Sequence, residues 1–184
     1  MESTNVGGFS VKFMQTIHAY DVSLFSWVMR RKSQRFLVAC ARCISKTGDG
    51  YLYLLLGLFL VLAQKHTELA LFYCLLLAFL MERPVYFVAK NLFKRDRPQA
   101  ALNIKSFIVP SDRFSFPSGH TSAAFVVATQ LAYFYPILTP VLMTWAVLVG
   151  MARVVLGVHF PTDTLIGALM GTGLAILSME ILLT

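Results

Sequence analysis

The sequence predicts an all-α, polytopic membrane helical bundle, and three observations carry that prediction. Hydrophobic residues make up 57% of the 184 and charged residues 14%, where ordinary soluble domains have roughly 25% charged. Mean hydropathy is +0.68. The apolar residues gather in runs close to the ~20 that a helix needs to cross a hydrocarbon core of about 30 Å. Together these exclude disorder and an ordinary soluble globule, and the length suits one membrane-embedded domain, 1–184.

The formal charge of +7, from 16 Lys+Arg against 9 Asp+Glu, calls for an anionic partner. In so apolar a chain that means membrane lipids or a phosphorylated substrate, with no nucleic acid. Three cysteines are too few for a disulfide framework, and the start MESTNVGG lacks the charged and apolar regions of a cleaved leader.

Five runs are expected to cross the bilayer. Tyr51–Gln64 is short and borrows Thr47–Gly50; Glu68–Lys90, Gly119–Tyr135, Ile137–Gly157 and Thr162–Leu183 follow. The links Lys65-His66-Thr67 and Pro136 are tight, so consecutive spans are antiparallel neighbours. Gly167, Gly171 and Gly173 read as small residues that let helices pack closely. Residues 1–50 are less apolar than the bundle, 51–184. Phe9–Met29 is amphipathic but holds Lys12, His18 and Asp21, and Phe36–Ile44 is too short to cross. Helices lying in the interface are expected here, with Arg30, Arg31, Lys32, Arg35 and Arg42 near lipid phosphates; a sixth crossing within Phe9–Met29 is the alternative.

Counting crossings brings the end of the second span, the start of the third, the end of the fourth and the start of the fifth to one membrane face. The 28 residues Asn91–Ser118 join two of these ends, a loop long enough to suggest function. Three clusters fall on that face. KNLFKRDRP sets Lys90, Lys94, Arg95 and Arg97 beside Asp96, a phosphate-binding group or a lipid-anchoring helix end. FSFPSGH opens the third span, where Ser118 and Gly119 leave backbone N–H groups at a helix N-terminus that favours an anion, with His120 alongside; an ordinary Ser-capped start is the alternative. ARVVLGVHFPTD places His159 at the lip of the fifth span and Asp163 one turn on. A carboxylate there can orient the imidazole and stabilise its cation, or the pair can simply cap a helix.

Other polar residues carry less. Cys40-Ala-Arg-Cys43 lacks the second pair of a zinc site, and Cys74, His18 and His66 read as structural. Glu82 and Arg83, inside the second span, pair with each other or face a polar crevice. No cluster has metal-ligand spacing, so neither metal nor cofactor is expected.

Lys90-x6-Arg97-Pro98, Pro117-Ser118-Gly119-His120 and Arg153-x5-His159-x3-Asp163 resemble, in order, the three signature motifs of the type 2 phosphatidic acid phosphatase family. One departure is Ala152, where that family usually has Ser, which removes one expected phosphate hydrogen bond. The resemblance implies an integral membrane lipid phosphatase that forms a covalent phosphohistidine on His159. It further implies that His120 is the general acid and then the base, that Asp163 orients His159, and that Lys90, Arg97, Ser118, Gly119 and Arg153 bind phosphate, with fixed cations in place of a metal. Undecaprenyl pyrophosphate is the expected substrate, ahead of phosphatidic acid, phosphatidylglycerol phosphate and lipid A phosphate. The alternatives are a phosphotransferase of the same family and a non-catalytic lipid-phosphate binder or transport subunit.

Orientation sets two arguments against each other. Placing residues 1–50 on the motif face puts 14 of the 16 Lys+Arg there, which by the positive-inside rule is cytoplasmic. The resemblance implies a site on the outer face of a bacterial cytoplasmic membrane, and cations kept for catalysis are poor topology signals. The outer face is therefore expected.

Overall fold

The computed structural model describes residues 6–30, 34–110 and 112–184. The side chains of 6–15 and 34 lie outside that description, and so do the lipid contacts expected of Lys12, Arg31 and Lys32. The regular elements of the described chain are all helices: α1 (Val6–Met29), α2 (Gln34–Thr47), α3 (Gly50–Ala63), α4 (His66–Phe93), the single turn α5 (Pro98–Ala101), α6 (Gly119–Phe134), α7 (Thr139–Val155) and α8 (Pro161–Leu183), with a 3-10 turn at Pro136–Leu138. Each expected run is a helix. Gln64 and Lys94, both left-handed, stop α3 and α4, and Pro161 sits in the first turn of α8, where its missing N–H costs nothing.

Four stretches are long and apolar enough to cross a membrane: Arg35–Ala63, His66–Phe93, Pro136–Val155 and Pro161–Leu183. The 16-residue α6 is about 24 Å long and falls below that measure. It packs against α4, α7 and α8, and this central position explains its composition: Thr121, Ser122 and Gln130 are buried against protein rather than lipid. The Gln130 amide donates to Ser178 Oγ (2.7 Å) and the Cys74 carbonyl (3.0 Å), tying α6 to α8 and α4.

Close approach of α6 and α8 depends on two glycines. A Cβ on Gly167 would stand 2.6 Å from the Ser118 carbonyl oxygen, and one on Gly171 would stand 2.2 Å from that of Ser122. Gly173, grouped with them in the sequence, faces open space and has no such duty.

The N-terminal helices are tied into the bundle more closely than a pair of free interfacial helices. α2 runs through a break at Gly48-Asp49 into α3, the two forming the 29-residue stretch Arg35–Ala63. Val38 and Ala41 pack on Ala152, Leu156 and Val158, so α2 covers the end of α7. Arg42, expected near lipid phosphates, donates to the Phe107 carbonyl at 2.8 Å. In α1, His18 and Phe25 both meet the ring of Phe160, while Met29 reaches Gly157. About 16 Å of helix is thus spent at one level of the bundle, and α1 runs across the ends of α7 and α8.

Candidate active site

Four helix ends meet on one face, as the crossing count predicts, and the loop 94–118 closes over them. An isolated bridge between Asp96 and Phe114 folds the loop back on itself, and Phe107 N–H bonds to Leu156 O at 3.0 Å. After α7, Gly157 adopts φ +77°, a left-handed turn that a side chain would strain. That turn delivers His159 inward, 2% exposed, immediately before α8.

The structure brings five of the predicted residues, Arg97, Gly119, His120, Arg153 and His159, to the lining of one cavity of about 620 Å³, while Lys90, Ser118 and Asp163 do not line it. His159 presents Nε2 to Arg97 Nη1 at 3.5 Å, and its Nδ1 lies 3.7 Å from Asp163 Oδ2. Burial pushes this imidazole down, Asp163 pulls it back up, and the charges of Arg97 and Arg153 push it down again, to about 4. The ring is therefore neutral at pH 7, with its Nε2 lone pair turned toward the donor Arg97. His120, which lines the same cavity, has Nε2 3.2 Å from Asp49 Oδ1.

The cations are held rigidly. Arg97 donates through Nη1 to Val158 O (2.7 Å) and through Nε to Asp112 O (2.8 Å), and Arg153 donates to Ser45 Oγ (2.8 Å). Lys90 Nζ reaches Asp112 Oδ2 at 2.8 Å and Phe114 O at 2.5 Å. Burial pushes the Asp112 carboxyl up, but hydrogen bonds from Lys90 and Tyr86 and the charges of Lys90 and Arg97 outweigh it and hold the group at about 2. Asp112 thus occupies, as a carboxylate, the place among the cations that suits a phosphate.

Two expectations change. Ser118 is fully buried, its N–H donates to Asp163 O at 3.0 Å, and its hydroxyl bonds Thr121, so it offers no amide to an anion. The N–H groups left over at the α6 N-terminus begin with Gly119, whose missing side chain lets the Tyr86 ring sit where a Cβ would be 2.8 Å from it. Ala152 packs into the apolar cluster under α2 and does not line the cavity.

The sequence named Arg95 only as one of a basic run and assigned no site role to Asp21, Thr162, Asp112, Tyr86 or Asp49. Arg95 donates to Asp163 Oδ1 (2.8 Å) and Thr162 Oγ1 (2.8 Å), pairs with Asp21 Oδ2 (2.6 Å), and lies 4.4 Å over the Phe160 ring. Asp163 Oδ2 also accepts the Phe160 N–H at 2.8 Å. The acid facing His159 is therefore fixed by three elements. Of these residues, Arg95 carried a signal as part of the basic KNLFKRDRP cluster, Asp21 as a charge in an amphipathic stretch, and Asp49 in the Gly-Asp-Gly break between helices. Among the described residues no group of three His, Cys, Asp or Glu side chains is placed to hold a metal ion.

Below the histidines the cavity continues as an apolar groove between α3, α4 and α6, walled by Leu54, Phe72, Leu76, Phe79 and Val127. From Tyr86 to Phe72 it follows α4 for about 21 Å. Leu54 and Leu76, at its edge, are exposed, so the groove opens sideways toward lipid.

The chain is similar to several known proteins. Phosphatidylglycerophosphatase B of Bacillus subtilis is 40% identical over 108 residues, covering 53% of this chain and 51% of that protein. Undecaprenyl-diphosphatase of Sulfolobus acidocaldarius is 28% identical over 145 residues, 75% of this chain and 67% of that one. The chain thus spans about half the length of the first relative. The crystal structure of Aquifex aeolicus LpxE superposes with a TM-score of 0.75 at 31% identity, covering 86% of this chain and 93% of that one. A PAP2-type phosphatidylglycerolphosphate phosphatase from Bacillus subtilis gives 0.72 at 27% identity, over 90% and 86%. The PAP2 superfamily model matches residues 50–184, a stretch that holds all three motifs and every residue lining the cavity except Gly48. The chain belongs to the PAP2 superfamily.

Proposed function

We propose that this chain is an integral membrane phosphatase that hydrolyses a phosphomonoester or diphosphate on a lipid, through a phosphohistidine on His159. The observation that carries the reading is the double orientation of His159, with Nε2 toward the cation-lined cavity at Arg97 and Nδ1 toward Asp163, at the head of a groove open to lipid.

The Nε2 lone pair attacks phosphorus, the bond from phosphorus to the lipid-side oxygen breaks, and His120 gives that oxygen its proton. His120 then takes a proton from water, whose oxygen attacks the phosphohistidine. The P–N bond breaks and its electron pair returns to His159. Asp163 stabilises the ring while it is positive, and Asp49 does the same for His120. Lys90, Arg97, Arg153 and the Gly119 N–H bind the non-bridging oxygens, whose charge grows in the transition state. Binding the phosphate requires the Asp112 carboxylate to yield its place. Because fixed cations do this work, activity is expected to persist in a chelator.

For the lipid, undecaprenyl pyrophosphate is proposed first, with phosphatidylglycerol phosphate and phosphatidic acid next; the names of the relatives include the first two chemistries. The site is proposed to face outward. Labelling of Val109→Cys, at a position 94% exposed on the closing loop, by an impermeant reagent in intact cells tests that, in a background without the three native cysteines. The activity test is phosphate release by the purified protein in detergent. Release that disappears in His159→Ala is the expected result. Passage of the phosphoryl group to an added lipid acceptor without release identifies a phosphotransferase instead.

A further inference from the structure

We propose that Arg83, with the Tyr53 hydroxyl, forms a second phosphate subsite on the lipid side of the catalytic cavity, so that the protein selects lipids carrying two phosphate groups. This rests on the phosphatase reading and specifies its substrate class.

Arg83 lies seven residues before Lys90 on α4, about 10 Å deeper along the helix. Both cations flank one ring: the Arg83 guanidinium is 4.9 Å and Lys90 Nζ 5.0 Å from the Tyr86 centroid. The two positive centres are therefore no more than about 10 Å apart, one at the proposed site of phosphoryl transfer and one at the head of the groove. The Arg83 side chain is 52% exposed and lines the same cavity as both histidines.

A guanidinium at this depth is expensive unless something compensates it. Glu82, fully buried, engages only its Nε–Nη2 edge. That pair neutralises the site in the absence of ligand and holds the fork in place, while the exposed part faces the groove. Tyr53 adds a second, independent observation. Its hydroxyl is buried, has no hydrogen-bond partner among the described residues and lines the cavity within electrostatic reach of Arg83 and Glu82. A buried hydroxyl without a partner costs free energy that an incoming acceptor would recover.

The catalytic end already has Lys90, Arg97 and Arg153 for the phosphate under attack. Arg83 is an additional cation placed where the leaving group must run toward its tail. The complementary chemistry is a second phosphate on the lipid side of the scissile bond. Either the inner phosphate of a prenyl diphosphate or the phosphodiester of phosphatidylglycerol phosphate supplies it, whereas phosphatidic acid has none.

The test is kcat/KM of the purified protein in detergent for these three lipids, with Arg83→Gln, Arg83→Lys and the double variant Glu82→Gln/Arg83→Gln, which leaves no buried carboxylate unpaired. Wild type should favour at least one two-phosphate lipid over phosphatidic acid by about tenfold or more, the scale of one charge-assisted hydrogen bond. Which of the two leads identifies the source of the second phosphate. Both glutamine variants should lose about tenfold on that lipid, chiefly in KM, and stay within about twofold on phosphatidic acid, while Arg83→Lys recovers part of the loss. Equal losses on all three lipids, no loss on any, or a wild type that prefers phosphatidic acid overturns the subsite while leaving the phosphatase reading intact. No phosphate release from any of the three overturns both.

Discussion

Replacing Arg95 with methionine removes the group that joins Asp21 of α1 to Asp163 of α8. The Arg95 side chain is 20% exposed, but Asp21 and Asp163 are 1% and 0%, so both carboxylates would lose a charge-assisted partner without gaining water. Each such bond contributes about 1.5–3 kcal/mol, and breaking a buried pair from one side costs about 3–5 kcal/mol. Asp21 retains Thr162 and Asp163 retains the Phe160 N–H, which places the loss at about 3–5 kcal/mol rather than the sum of all contacts. For a chain of this length that corresponds to a fall in Tm of roughly 6–20 °C, read by thermal unfolding in detergent. Below the transition, kcat should fall about tenfold or more as the Asp163 carboxylate loses its anchor. A cycle of Arg95→Met, Asp21→Asn and the double variant should show coupling of about 1–3 kcal/mol. An Arg95→Met protein with unchanged Tm and kcat would refute the idea that this network fixes the acid.

Further outcomes follow from the same geometry. The free enzyme needs neutral His159, whose pKa is pushed down to about 4, so its nucleophilic form is lost only as pH falls through that region. The acid limb of kcat/KM should move to higher pH in Arg97→Gln, which removes a charge that lowers this pKa, and to lower pH in Asp163→Asn, which removes one that raises it; shifts in the opposite directions would reverse the assignment. Asp49→Asn should lower kcat several-fold with KM little changed, and the loss should shrink for an alkylated aryl phosphate whose leaving group needs no proton. A loss independent of the leaving group would make Asp49 structural. Gly171→Ala, whose methyl group would meet the Ser122 carbonyl oxygen at 2.2 Å, should lower Tm sharply, while Gly173→Ala, open on that side, should leave it unchanged or slightly raised.

Much of this arrangement is legible in the sequence because membrane crossing is a strong constraint. Apolar runs of the required length, joined by links as short as the single Pro136, leave little choice about which ends meet, and the three motifs fall on those ends. What the sequence hides are contacts between distant polar residues. Asp21 reaches Thr162 across 141 positions and His120 reaches Asp49 across 71, and no periodicity encodes such pairs. α6 carries polar residues because protein surrounds it, while α2 looks too short alone yet runs on into α3. Ser118 is a local error of a different kind: its place at a helix start is right, but its N–H is taken by the Asp163 carbonyl from another helix.

The central claim is that His159 itself carries the phosphoryl group. The most direct measurement is rapid acid-free quenching of the purified protein during turnover of a phosphate-labelled lipid, followed by mass spectrometry of its peptides. The account predicts a base-stable, acid-labile phosphoryl group on His159, absent in His159→Ala and more abundant in His120→Ala with a substrate whose leaving group needs no proton, since hydrolysis of the intermediate then lacks its base. Rapid turnover with no label on His159, or label on His120 instead, would contradict it.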